Sequence, residues 1–188
     1  MWIFGYGSLV WRPAFPHVER RPGSIQGWKR RFWQHSTDHR GVPGAPGRVV
    51  TLLAEAGAQC WGMAYRVGEQ DRAAVLANLD HREKNGYARY QLEVTFGGEV
   101  TSPANAPATP PVVALVYIAT EDNPDFAGPA SIDAIAAQIR RCRGPSGDNT
   151  QYVLALAEAL TSMGAEDAHV SSLADRLRAD PSQSETTP

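Results

Sequence analysis

The apolar residues of this chain change their period along its length, and that change limits the folds open to it. All five tryptophans, Trp2, Trp11, Trp28, Trp33 and Trp61, fall within the first 61 residues. The segments around them are short β-branched or aromatic runs cut by Gly and Pro. Residues 2–6, 27–33, 49–54, 60–67, 87–96 and 112–118 therefore read as strands. Clear helical spacing appears mainly beyond residue 130. Ile132, Ile135, Ala136 and Ile139 recur at i, i+3, i+4 and i+7, as do Val153, Leu156, Ala157 and Leu160. Ser131 is the expected N-cap of the first helix, and Asp148 or Asn149 of the second. Shorter helices are expected over 70–81, stopping at Asn85-Gly86, and over 171–178. Strands and helices that do not alternate regularly predict an α+β fold and argue against a doubly wound sheet.

At 188 residues, the chain can bury one good core, and a single domain is expected over 1–178. The polar segment 179–188 is expected to be a disordered tail, and the Pro-rich stretch from Thr101 to Pro111 a solvated loop. The formal net charge is −2, with 18 basic and 20 acidic residues. That balance disfavours nucleic acid as a partner. Eight of the basic residues but only two of the acidic ones lie in residues 1–48, so that end suits an anionic partner. Two cysteines, Cys60 and Cys142, are too few for a disulfide framework or a four-Cys zinc site. No run reaches the roughly 18 consecutive apolar residues of a membrane-spanning helix. A cytoplasmic protein is the expectation.

Four stretches have residues suited to chemistry. Phe4-Gly5-Tyr6-Gly7-Ser8-Leu9 is a strand running into a Gly-Ser turn. Such a turn either is merely tight or gathers backbone N–H groups around an oxyanion. It lacks the Gly-Lys-Ser/Thr of a phosphate loop. In Leu79–Tyr87, Asp80 and Glu83 are three residues apart near the end of a helix, where the negative end of the helix dipole and burial would raise a carboxylate pKa. Glu83 either serves there as an acid/base or pairs at the surface with Arg82, Lys84 or Arg89. His35 and His39 have the i, i+4 spacing of zinc ligands on a helix, but Gly41, Pro43 and Gly44 point to a loop and no third ligand is evident. Ser36 lacks the context of a hydrolase nucleophile. Trp28–Trp33, basic and aromatic, is either a surface for single-stranded nucleic acid or a strand edge with Arg30 turned outward; length and net charge favour the edge.

Six blocks in fixed order tie these stretches together: FGYGSLVW at 4–11, RRFWQHSTDHRGVPGAPGRVVTL at 30–52, CWGMAYRV at 60–67, LDHREKNGY at 79–87, VYIATEDNPDFAGPA at 116–130 and GPSGDNTQYV at 144–153. In these blocks the sequence closely resembles the ChaC-type, glutathione-specific γ-glutamylcyclotransferases, from Met1 to about Arg178. The resemblance implies a compact mixed β-barrel with packed helices. It implies conversion of glutathione to 5-oxoproline and cysteinylglycine with no metal and no organic cofactor. It assigns the catalytic acid/base to Glu83, and substrate binding to Ile3, Phe4, Gly5, Tyr6, Gly7, Ser8 and adjoining Leu9, with Tyr152 as a further pocket residue. Gln151 stands where the family usually has Glu, so no role passes to it. No nucleic acid, membrane or obligate protein partner is implied. The alternatives are a cyclotransferase for other γ-glutamyl amino acids or amines, and a non-catalytic γ-glutamyl-binding module.

Overall fold

The computed structural model describes residues 1–82, 86–96 and 109–179. The tail 180–188 and most of the Pro-rich loop lie outside the described residues. Five strands close into a barrel in the order β1-β3-β2-β4-β5: β1 is Trp2–Gly5, β2 Glu19–Ser36, β3 Gly47–Arg66, β4 Tyr87–Phe96 and β5 Val112–Ala119. With α1 (Arg72–Arg82), α2 (Ile132–Arg141), α3 (Asn149–Ser162) and α4 (Ala168–Arg178), the fold is α+β, as expected. A two-residue ribbon, β6 (Arg143–Gly144) with β7 (Gly147–Asp148), lies between α2 and α3. No helix among the described residues is long and apolar enough to cross a membrane.

The chain forms two compact units, 1–30 with 52–124, and 31–51 with 125–188. In the first unit, β1 is a central strand. It pairs antiparallel with β3 from Trp2↔Arg66 to Gly5↔Met63 and parallel with β5 at Trp2↔Ala114 and Ile3↔Leu115. β4 and β5 form a long antiparallel pair from Tyr87↔Ala119 to Val94↔Val112. Ile3, Phe4, Ile25, Tyr65, Val94, Val116 and Ile118 fill the core, with Val75 and Leu79 from α1.

The second unit packs α2, α3 and α4 together through Ile135, Ile139, Val153, Leu156, Leu173 and Leu177. Ser131 caps α2, its Oγ accepting from Ala134 N at 3.2 Å. Asp148 is the N-cap residue of α3, but its side chain makes no capping bond. Asn149 has a different task. Fully buried, its Oδ1 accepts from Arg48 N at 2.6 Å and its Nδ2 donates to Arg48 O at 2.8 Å. A side-chain amide thus completes the main-chain bonding of one strand residue. α4 begins earlier than its periodicity suggests, because Asp167 Oδ1 accepts from Val170 N at 3.2 Å and adds a turn.

Two expectations are corrected. Segments 49–54 and 60–67 belong to one strand, β3, which continues through solvent-exposed Ala54-Glu55-Ala56-Gly57. Backbone pairing holds that stretch, so apolar content misses it; Lys29 and Glu55 add an ion pair. Arg30 does not face outward but is 1% exposed, donating to Cys60 Sγ at 3.2 Å and to the Trp61 carbonyl. Gly27, at φ +80°, shifts the alternation of β2, and from Arg30 onward the even-numbered residues are buried. The tryptophans also stay out of the fully buried core, being half-buried. Trp2 packs on Phe96 and Trp28 on Tyr90, with ring centroids 5.4 and 5.5 Å apart.

Asn149→Ala would leave a buried N–H and a buried C=O of Arg48 without partners. The expected loss is about 1–3 kcal/mol, read as a lower denaturant midpoint at unchanged slope. An unchanged midpoint would show that the clamp contributes nothing.

Candidate active site

The site is built within the first unit, where β1 ends. Pairing with β3 holds β1 as far as Gly5, pairing with β5 holds it at Trp2 and Ile3, and the chain then turns tightly through Tyr6 and Gly7 into a 3-10 turn at Ser8–Val10. Two close approaches require glycine. A Cβ on Gly5 would collide with Cβ of Leu9, and one on Gly62 of β3 would strike the Gly5 carbonyl oxygen. The loop is tied down by side chains from elsewhere in the unit. Tyr6 Oη donates to Tyr117 O at 2.9 Å, and Tyr65 Oη donates to Leu9 O at 2.6 Å. Inside the turn, Val10 N donates to Gly7 O and Arg12 N to Ser8 O, each at 2.9 Å. The carbonyls are thus occupied by the turn, and N–H groups at the start of a helical turn have no partner within it.

The residues that the resemblance assigns to substrate divide by environment. Ile3 and Phe4 are buried side chains of β1 and Tyr6 is buried under the loop, whereas Gly7, Ser8 and Leu9 are half-buried. From Ile3 to Gly5, whatever reaches a ligand must be main chain. Tyr152 belongs to the second unit, where it is 5% exposed, edge-on to Phe32 with centroids 6.0 Å apart and under the Arg40 guanidinium at 5.3 Å.

The C-terminal end of α1 reaches the same loop. Arg82, its last residue, donates from Nη2 to Ser8 Oγ at 2.7 Å. Glu83, the expected acid/base, lies outside the described residues, together with Lys84 and Asn85. The positions on either side of them are fixed. Arg82 holds Ser8, and Gly86, at φ +83°, lies so near buried Asn123 that a Cβ would come within 2.7 Å of its Nδ2.

A polar cluster joins α1 to β4 and β5, and the sequence did not signal that Tyr117 would take part in it. Asp80 accepts from Arg89 Nε at 2.8 Å, from Arg89 Nη2, and from Tyr117 Oη at 2.7 Å. The Arg89 and Tyr117 hydrogen bonds hold the Asp80 carboxyl below its ordinary range. Burial, reinforced by the bond to Asp80, pushes the Tyr117 phenol up to about 12. Tyr117 sits in an apolar strand and reads there as core; nothing in its neighbourhood announces that its hydroxyl would meet a carboxylate 37 residues away. Arg89 thus pairs with Asp80, while the surface pairing considered for Glu83 lies outside the described residues.

The other chemical candidates have structural employment. Ser36 Oγ accepts from Arg40 N at 3.0 Å, and His39 Nδ1 lies 3.1 Å from Ser146 Oγ. His35 is on β2, its N–H bonded to Asp125 O. Among the described residues no group of three His, Cys, Asp or Glu could hold a metal ion. Arg48, one of the eight basic residues of the first 48, is 7% exposed and donates to Gln138 Oε1 at 2.7 Å and Phe32 O at 3.2 Å. Both cysteines are free thiols, Cys60 buried.

Residues 1–180 match the family model described as ChaC-like protein. Among curated relatives, the glutathione-specific γ-glutamylcyclotransferase 1 of Homo sapiens is 46% identical over 181 residues, covering 94% of this chain and 78% of that protein. The γ-glutamylcyclotransferase 2-3 of Arabidopsis thaliana is 43% identical over 189 residues, 98% of this chain and 92% of that protein. A crystal structure of a glutathione-specific γ-glutamylcyclotransferase from yeast superposes with a TM-score of 0.85 at 30% identity, covering 94% of this chain and 95% of the other.

A carboxylate with a lowered folded-state pKa stabilises the fold above its unfolded pKa, and that contribution disappears as pH falls through the lowered value. Asp80→Asn should therefore lower Tm at neutral pH, with the gap from wild type closing as pH falls below the ordinary carboxylate range. A gap that does not change with pH would mean the Asp80 cluster is not linked to folding.

Proposed function

This chain belongs to the ChaC-like protein family, and from that premise we propose that it is a glutathione-specific γ-glutamylcyclotransferase. The observation that carries the reading is the 2.7 Å bond from Arg82 to Ser8. It joins the loop assigned to substrate with the end of the helix that leads directly into Glu83. The relatives named for this activity supply the substrate.

The reaction sets three tasks. The α-amine of the glutamyl group must attack its own γ-carbonyl carbon, so the chain has to be held curled. A rigid loop around Gly5, Tyr6, Gly7 and Ser8, pinned by Tyr65 and Tyr117, suits that holding role. The α-amine is an ammonium at neutral pH and needs a base. Glu83 takes its proton, a new C–N bond closes the five-membered ring, and the bond to the cysteine nitrogen breaks as that nitrogen is protonated. Overall, two protons leave the α-nitrogen and two arrive on the departing amine. 5-Oxoproline and cysteinylglycine form without consuming water. The oxygen of the γ-carbonyl carries the developing negative charge, and one well-placed donor to such an oxygen is worth about 10²–10³ in rate.

The same reading makes the protein cytoplasmic and independent of metal, organic cofactor or obligate protein partner. Residues 1–178 are proposed to act as one domain, since β2 and β3 each contribute to both units.

Incubation with glutathione should yield 5-oxoproline and cysteinylglycine, identified by mass, and much less product from γ-glutamyl-alanine. Glu83→Gln keeps the shape and removes the base. It should lower kcat by at least about 10²-fold, within the usual range for general acid–base help, while glutathione still protects the variant against thermal unfolding. Wild-type turnover in the variant would remove Glu83 from the mechanism, and equal rates on both substrates would remove the specificity.

A further inference from the structure

The bond between Arg82 and Ser8 has a fixed direction. A guanidinium only donates, so Arg82 Nη2 gives the hydrogen and Ser8 Oγ accepts it, at 2.7 Å. The hydroxyl hydrogen of Ser8 must then point elsewhere, and among the described residues no protein group takes it. Ser8 is half-buried and begins the 3-10 turn that closes the loop, so its hydroxyl is placed where a ligand at the loop could meet it. A hydroxyl that accepts from a cation is polarised, and its own O–H becomes a stronger donor. Its anchoring is also firm. The Leu9 carbonyl next to it is bonded to Tyr65, and Tyr6 two residues before it to the Tyr117 carbonyl, so the backbone that carries the hydroxyl is held on both sides while Arg82 holds the oxygen itself.

We propose that Arg82 is a positioning residue of the reaction, orienting and polarising the Ser8 hydroxyl so that it donates to the γ-carbonyl oxygen of the glutamyl group as negative charge develops there. The inference rests on the cyclotransferase reading. Ser8 is the group that touches substrate, and Arg82 acts through it. A neutral hydroxyl stabilised by a neighbouring cation suits an oxygen that is uncharged in the bound substrate and charged in the transition state, because the interaction then strengthens along the reaction coordinate. The competing account makes the bond a tether that only fastens α1 to the loop, in which case its loss would be felt in folding and not specifically through the hydroxyl.

The experiment is a double-mutant cycle. Arg82→Met, Ser8→Ala, the combined variant and Arg82→Lys are assayed for kcat and KM with glutathione, with thermal melting alongside. Arg82→Met should lower kcat about 10- to 100-fold, the scale of a misplaced catalytic contact, with KM little changed. Arg82→Lys should recover most of the loss, and the combined variant should be no slower than Ser8→Ala alone. Losses that multiply in the combined variant, or a change confined to Tm or KM, overturn the proposal. A wild-type chain that releases no 5-oxoproline overturns the cyclotransferase reading as well, whereas an active wild type with multiplying losses removes only the role of Arg82. If Arg82→Met does not fold, Arg82→Gln, which keeps an N–H donor without the charge, replaces it in the cycle and is judged by the same two outcomes.

Discussion

A strand of only four residues, paired with β3 along its whole length and with β5 at its first two residues, fixes where the chain leaves it. β1 sits between β3 and β5, and its last residue, Gly5, is in register with Met63. The loop that follows therefore starts from a point held by the sheet itself. The lack of a side chain at Gly5 lets Leu9 fold back over it, and the turn closes within five residues. Pairing with β3 reaches this last residue, so the exit point of the strand is held by the sheet.

The loop is then fastened from three directions by residues distant in sequence: Tyr65 from β3, Tyr117 from β5 and Arg82 from α1. Each contributes a modest net free energy, about 1 kcal/mol for a neutral hydrogen bond and somewhat more where a charge is involved. Their combined value lies in preorganisation. A reaction whose nucleophile and electrophile belong to the same small molecule asks the protein to restrict conformers and to place dipoles in advance, and a stiff loop does both. The Asp80–Arg89–Tyr117 cluster serves the same end, since one tyrosine meets the helix through its hydroxyl and the loop through its main-chain carbonyl.

The sequence was legible where a local rule decides the outcome. Helical periodicity and a serine cap placed α2, and the run from Tyr87 to Phe96 emerged as β4 unchanged. It was misleading where a single backbone angle mattered. Gly27, with its positive φ, turned Arg30 from an outward charge into a buried one. The middle of β3 was illegible because ladder bonds, unlike side-chain burial, leave little compositional trace.

By itself, then, the amino-acid sequence determined the α+β class, the helices with regular apolar spacing and, through ordered motif blocks, the family. Those features depend on residues near one another in the chain. Only the tertiary structure decided that Arg82 would meet Ser8 across 74 residues, that Tyr117 would spend its hydroxyl on Asp80, and that Asn149 would complete the backbone of Arg48. Such pairings depend on which groups the barrel and the helices bring within 3 Å, a distance that no spacing along the sequence encodes.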